Sequence, residues 1–321
     1  MRTFAGLAFL ASLTVGSLYA DALPTWAYPV APPKAAGASA PATDTGPQHV
    51  PDSTVTLTKR QFAAHLTSAA DWHPEEHPAM PPIVAVGREP TVWACAYCHL
   101  PNGAGRPENA SLAGLTPGYI RQQIGEFKNG NRNGSEPKRE PQNFMIGLAK
   151  ALTDDEIAQA AQYFSAIKPA SFVRIVESDT VPKSYVAGAM LAQAPGGGDE
   201  SLGHRIIEMP EDLSRAENRD SRTPYVAYVP VGSIERGKAL VSAPPPGKTQ
   251  QCLICHGPGL KGGIADFPRL AGRSPSYLMR QLYDYKAGTR AGLGGLMKLV
   301  VSNLSEDDML DIVAYISSQQ P

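Results

Sequence analysis

Four cysteines occur in this 321-residue chain, and they fall into two copies of one pattern. Cys95-Ala-Tyr-Cys98-His99 and Cys252-Leu-Ile-Cys255-His256 each set two thiols three residues apart, with an imidazole directly after the second. Disulfides suit an exported chain, but so short a spacing closes a strained loop and leaves both His without a role. A four-thiolate zinc site ordinarily has its pairs ~15–20 residues apart, whereas these begin at 95 and 252. A thioredoxin-like motif needs a βαβ setting that neither pair has. Covalent attachment of a c-type haem is the remaining chemistry, and it wants this spacing. Residues three and four apart share one face of a helical turn. The two thiols can bond the two haem vinyl groups while the next His reaches the iron from the same side. The sequence therefore predicts two haem c groups, bonded by Cys95, Cys98, Cys252 and Cys255, with His99 and His256 as proximal iron ligands.

Each motif heads a longer repeat that must position it. Leu112-Ala-Gly-Leu-Thr-Pro-Gly-Tyr119 returns as Leu270-Ala-Gly-Arg-Ser-Pro-Ser-Tyr277, and the 158-residue offset continues to Arg132 and Arg290. Pro117 and Pro275 suit a first helical turn, with Thr116 and Ser274 as its caps. Ile120, Ile124 and Phe127 then line one helical face, matched by Leu278, Leu282 and Tyr285. A closing helix follows in both copies, announced by Thr153-Asp-Asp-Glu156 and Ser305-Glu-Asp-Asp308 as capping boxes. The offset there is 152, so the loop before the closing helix is six residues longer in the first copy. Two tandem α-helical domains are the expected architecture.

These residues together resemble class I cytochrome c. The likeness rests on the two Cys-x-x-Cys-His motifs, the Leu-Ala-Gly-x-x-Pro-x-Tyr segments, a Lys-x-Gly-x-Arg helix end, a Met and the closing helix. The tandem arrangement is similar to the dihaem members of that superfamily, and it covers about 95–168 and 232–319. The resemblance implies a mainly α fold, with two cytochrome c domains (57–168 and 232–321) joined by a segment bearing a few short strands. It also implies a Met as sixth iron ligand just before each closing helix. Met145 and Met297 each lie seven residues ahead of the Leu that precedes that helix. A His/Met pair raises the reduction potential and leaves no open position for substrate. Met279 and Met309 read instead as core residues on helical faces, and His65, His73 and His77 stand as alternative ligands in the first domain.

The second domain carries the family's leading helix at Gly232–Val241. Nothing comparable stands directly before Cys95, where 74–90 is Pro-rich. An earlier helix is a candidate, with Thr58-Lys-Arg-Gln61 as a capping box ahead of Phe62 and Leu66. Between the domains, 169–231 reads as a linker or small strand-containing insert, the linker being favoured. Its β-prone runs are Phe172–Val176, Arg205–Glu208 and Tyr225–Val229, with a turn at Gly196-Gly197-Gly198.

Residues 1–22 read as a cleavable signal peptide: Arg2, an apolar run over 4–18, then Ala20-Asp21-Ala22. The run is shorter than the ~20 apolar residues of a spanning helix, so no membrane span is expected in the mature chain, and a periplasmic location follows. Residues 23–56, rich in Ala and Pro, read as a flexible arm. Lys plus Arg number 29 against 30 Asp plus Glu, which argues against nucleic acid as a partner. Expected partners are a redox donor and acceptor, such as a membrane respiratory complex or a periplasmic dehydrogenase. The expected function is single-electron transfer rather than catalysis. The alternatives are a peroxidase-like enzyme with one five-coordinate haem, or an electron-accepting subunit of a dehydrogenase or oxidase complex.

Overall fold

A computed structural model of the chain describes residues 23–32, 46–58, 60–61 and 68–321. The signal-peptide reading (1–22), residues 33–45, and Phe62, His65 and Leu66 lie outside the described residues. The fold is mainly α with several short strands.

The first helical group comprises α1 (Pro82–Ala85), α2 (Cys95–His99), α3 (Pro117–Lys128), α4 (Glu140–Ala151) and α5 (Asp154–Ala166). The caps form where sequence chemistry asks for them. Thr116 Oγ1 accepts from the Tyr119 amide, and Thr153 and Glu156 complete a reciprocal capping box. Ile120, Ile124 and Phe127 of α3 and Ile157, Ala160, Ala161 and Phe164 of α5 close one apolar core. Among the described residues directly before the first motif stands the single turn α1, with Ile83 and Val84 buried in this core. Upstream, Thr58 and Gln61 exchange the bonds expected of a capping box.

After a central segment that carries the short helix α6 (Leu213–Glu217), the second group runs α7 (Ser233–Ser242), α8 (Leu253–His256), α9 (Pro275–Ala287), α10 (Gly295–Val301) and α11 (Glu306–Ser318). Here the leading helix is complete, and α7 crosses α11 at Gly237. A Cβ at that position would lie 1.9 Å from the Asp311 carbonyl oxygen and 2.9 Å from Tyr315 Cβ. Only a residue without a side chain permits so close an approach.

All three β-prone runs join one sheet. Val173–Glu177 pairs in parallel with Tyr225–Val229, which pairs antiparallel with Ile207–Pro210. Ser184–Ala187 and Met190–Gln193 form a hairpin, and Gly197 and Gly198 turn with positive φ. Reading 169–231 as a linker understates it. Val173, Ile207, Met209, Tyr225, Val226 and Val229 are buried in the same core as α9 and α11. The central strand Tyr225–Val229 is apolar at every position and buried at successive residues, as a strand covered on both faces is, and the second helical group supplies part of that cover.

The flexible-arm reading of 23–56 also needs correction over its described part. Trp26, Ala27 and Tyr28 are buried in the second core, and Val50 packs with Trp72. The Tyr28 hydroxyl bonds Asp284 Oδ1 at 2.9 Å and the Arg280 carbonyl at 3.2 Å. Two large aromatics within three residues offer apolar area that outweighs the cost of ordering a short segment.

Candidate functional site

Both Cys-x-x-Cys-His motifs sit on single helical turns, α2 and α8 with Cys252 at its cap. The His that ends each turn is fixed by a carbonyl from the following loop. His99 Nδ1 lies 2.8 Å from the Ala110 oxygen, and His256 Nδ1 lies 2.8 Å from the Pro268 oxygen. Ala110 and Pro268 are themselves related by the 158-residue offset. A carbonyl only accepts, so Nδ1 carries the proton and Nε2 is left with its lone pair for a metal. Burial holds both imidazoles below their ordinary value, against the opposing pull of the carbonyl bond. A neutral ring is the form that ligates.

Burial also pushes the Cys95 thiol up to about 12 and the Cys252 thiol to about 11. A redox-active Cys-x-x-Cys pair has the opposite signature, a lowered thiol. Among the described residues, no group of three or more His, Cys, Asp or Glu converges as a metal site, so the two pairs do not meet as a zinc cage.

Met297, on α10, lines the same cavity as His256, with Tyr277, Leu282, Val313 and Ile316 around them. Met145, on α4, is partly buried and packs against the first core, as Cys95 and Tyr97 also do. Met279 and Met309 are fully buried among apolar side chains, as their helical positions predict. Of the alternative ligands, the two among the described residues are otherwise engaged. His73 bonds the buried Asp220 at 3.0 Å, and His77 sits between Asp71 and the Tyr163 hydroxyl.

Between the two helical groups lies a seam with local twofold symmetry. Arg132 Nη2 donates to Tyr277 Oη at 2.9 Å, and Arg290 Nη2 donates to Tyr119 Oη at 3.1 Å. Each Arg also donates to its own repeat's glutamine, Gln123 and Gln281, and lies 4.4 Å from its own repeat's ring, Phe127 and Tyr285. Backbone bonds from Asn133 to Thr289 and from Ala291 to Asn131 complete the pairing. Equivalent residues exchange equivalent bonds, the property of an isologous contact.

Four guanidiniums gather at this seam, and the carboxylates of Asp284 and Glu126 are buried at it too. Arg132, Arg269, Arg273 and Arg290 are buried, and they donate to carbonyls, hydroxyls and amides rather than to carboxylates. Arg273 Nε is buried with no hydrogen-bond partner. Burial alone would raise the Tyr277 phenol, yet Arg132, Arg273 and Arg290 outweigh it and bring it down. Buried cations call for an anion, and the two propionates of a haem are anions of the right kind. With the oriented imidazoles, paired thiols and thioethers, the residues present fit haem c.

Sequence reading singled out the thiols, imidazoles and thioethers but not Arg269, Arg273 or the two carbonyls. The offset alone could have flagged Arg132 and Arg290, which end the repeated helix segment in both copies.

The Cytochrome c family matches residues 87–168 and 234–320, together more than half of the chain. The chain belongs to the cytochrome c family. With one matched region in each repeat, it is a tandem dihaem class I cytochrome c, an electron-carrying protein with two haem c groups. It is 26% identical over 235 residues to a thiosulfate dehydrogenase electron acceptor of Stutzerimonas stutzeri, covering 72% of this chain and 82% of that one. It is 39% identical over 82 residues to cytochrome c4 of Azotobacter vinelandii, covering 23% and 39%. Among solved structures it is similar to the thiosulfate dehydrogenase (TsdBA) of Marichromatium purpuratum, at TM-score 0.51 and 28% identity. That match covers 74% of this chain and 39% of the longer protein. Among the described residues, no helix is long and apolar enough to cross a membrane.

Proposed function

We propose that this cytochrome is a periplasmic carrier that accepts single electrons from a dehydrogenase, one acting on a small sulfur oxyanion such as thiosulfate, and passes them to a further redox protein. Residues 57–168 and 232–321 are its two haem domains, and 1–22 is its export signal. Cys95 and Cys98 hold the first haem and Cys252 and Cys255 the second. His99 and His256 are the proximal ligands, and Met145 and Met297 the distal ones. The haem supplies one-electron chemistry at iron, and the chain's residues set where that electron can go. The Ala110 and Pro268 carbonyls fix the imidazoles, and the thioethers close the sixth position to substrate. Arg132, Arg269, Arg273 and Arg290 neutralise carboxylate charge in the seam.

The observation that carries this reading is the cavity that His256 and Met297 both line, together with Tyr277 and Leu282. The likeness to an electron acceptor of thiosulfate dehydrogenase, over 235 residues, supports the donor. Alkaline pyridine spectra of the purified protein should give two haem c per chain. The oxidised protein should have the weak far-red band of thioether-ligated ferric haem. Met297→Ala and Met145→Ala should each remove about half of that band. A high-spin iron that binds peroxide in the untouched protein would overturn the carrier reading.

A further inference from the structure

One tight turn just ahead of the first haem motif reaches both ends of the helix that carries Met145. Arg88 and Val92 exchange backbone bonds, the Arg88 amide to Val92 at 2.7 Å and the Val92 amide to Arg88 at 2.9 Å. Gly87 allows the closure: its φ is 73°, and a Cβ there would lie 2.2 Å from the Val92 carbonyl oxygen. Two side chains leave this turn and both land on α4. Arg88 Nη2 donates to the carbonyl of Ala151, the last residue of the helix, at 2.8 Å. The Trp93 ring stacks on Phe144, the neighbour of Met145, with centroids 5.0 Å apart and planes 33° from parallel. Trp93 also meets the Tyr97 ring edge-on at 5.8 Å. Tyr97 lies between Cys95 and Cys98, and the Arg219 guanidinium sits 3.6 Å from its ring centroid.

Phe144 is 48% exposed, so burial in the core does not account for its place against Trp93. The stack is a point of grip on α4, and ring pairs of this kind add to stability beyond the area they bury. The second repeat holds its Met297 segment by other means. Gln250 stands where the first repeat has Trp93, and Leu296 stands where it has Phe144. The tie there is a hydrogen bond from Thr249 Oγ1 to the Val300 carbonyl at 2.7 Å. In both repeats, then, residues just ahead of the motif grip the segment that bears the thioether. The first repeat does so with a pair of rings.

We infer that Trp93 is a positioning residue for the first haem: its stack on Phe144, with Arg88 at the far end of the helix, holds α4 so that the Met145 thioether stays bonded to the iron. The inference rests on the carrier reading, in which Met145 is the distal ligand, and adds to it what keeps that ligand in place. The thioether comes from a helix joined to the motif through a long loop, so its hold on the iron depends on how firmly that helix is fixed. Trp93 and Arg88 belong to the chain that leads directly into Cys95, which ties the helix to the haem's own point of attachment.

The test uses the full-length oxidised dihaem protein and imidazole, a small neutral ligand whose nitrogen replaces the thioether sulfur at iron without a change of oxidation state. Trp93→Leu and Phe144→Leu should each raise imidazole affinity at one haem by ~three- to tenfold and weaken only that haem's share of the far-red band. Met145→Ala should remove the same share, which marks that haem as the first. With Met145→Ala already in place, adding Trp93→Leu should change the affinity by less than about twofold, because no thioether is left to position. Tyr185→Leu, the same kind of change at an exposed ring of the central hairpin, should leave both haems as they are. A Trp93→Leu effect that persists in full without Met145, or that is missing when Met145 is present, overturns the positioning role alone. If Met145→Ala itself leaves the band and the imidazole affinity unchanged, the ligand reading falls, and the positioning role falls with it.

Discussion

Glu156 serves two partners at once. Its Oε2 accepts from the Thr153 amide at 2.8 Å as the third residue of the capping box, and its Oε1 takes Arg88 Nε at 2.6 Å. The Arg88 bond, aided by the cap and opposed by partial burial, brings the carboxyl down to about 2 from an ordinary 4.5. A depressed carboxyl stabilises the fold above its unfolded value and loses that contribution as pH falls through the folded one. Stability should therefore drop between about pH 4.5 and pH 2. Glu156→Gln, which can still close the cap, should flatten that drop in thermal melts taken across the same range. An unchanged acid profile would refute the assignment. The cap was legible in sequence because its partners are three residues apart. Arg88 was not, since it stands 68 residues away and meets Glu156 only after the chain folds.

The helices differ most where the two repeats were expected to differ. At the crossing of α7 and α11, Gly237→Ala would force a methyl to within 1.9 Å of a carbonyl oxygen. The helices would have to separate, at a cost of ~1–3 kcal/mol, read as a fall in denaturation midpoint. Gly125→Ala, where a Cβ meets nothing within 4 Å, serves as the control and should be neutral or slightly stabilising. Among the described residues the first repeat shows no such crossing, and the single turn α1 packs on α5. The longer loop there (134–143) has its own work. Ser135 donates twice to Asp284 of α9, and Arg139 donates to the carbonyls of Pro29 and Ala189. Its charge therefore serves contact between units. Helix periodicity and caps make each helix readable from local residues, whereas a loop's partners lie far along the chain.

At the scale of the molecule, the seam of Arg132 and Arg290 holds the two repeats in one register. Arg290→Met would strip Tyr119 and Gln123 of a buried donor, at ~1–3 kcal/mol. Arg132→Met should cost a similar amount, and the double variant should cost less than the sum, because both guanidiniums share Gln281 and Gln123. Strict additivity in denaturant unfolding would show that the two act independently.

The sequence by itself determined the cofactor chemistry, the repeat and the helices. Two thiols and an imidazole at fixed spacing, a 158-residue offset and four helix caps are all properties of neighbouring residues. It also placed the three β-prone runs, but not their union in one sheet or their burial in the second core. Only the tertiary structure decided that Trp26 and Tyr28 are anchored and that buried guanidiniums line the seam. Those outcomes depend on burial and on donors meeting acceptors more than a hundred residues away. A linear pattern carries neither, and the packed chain fixes both.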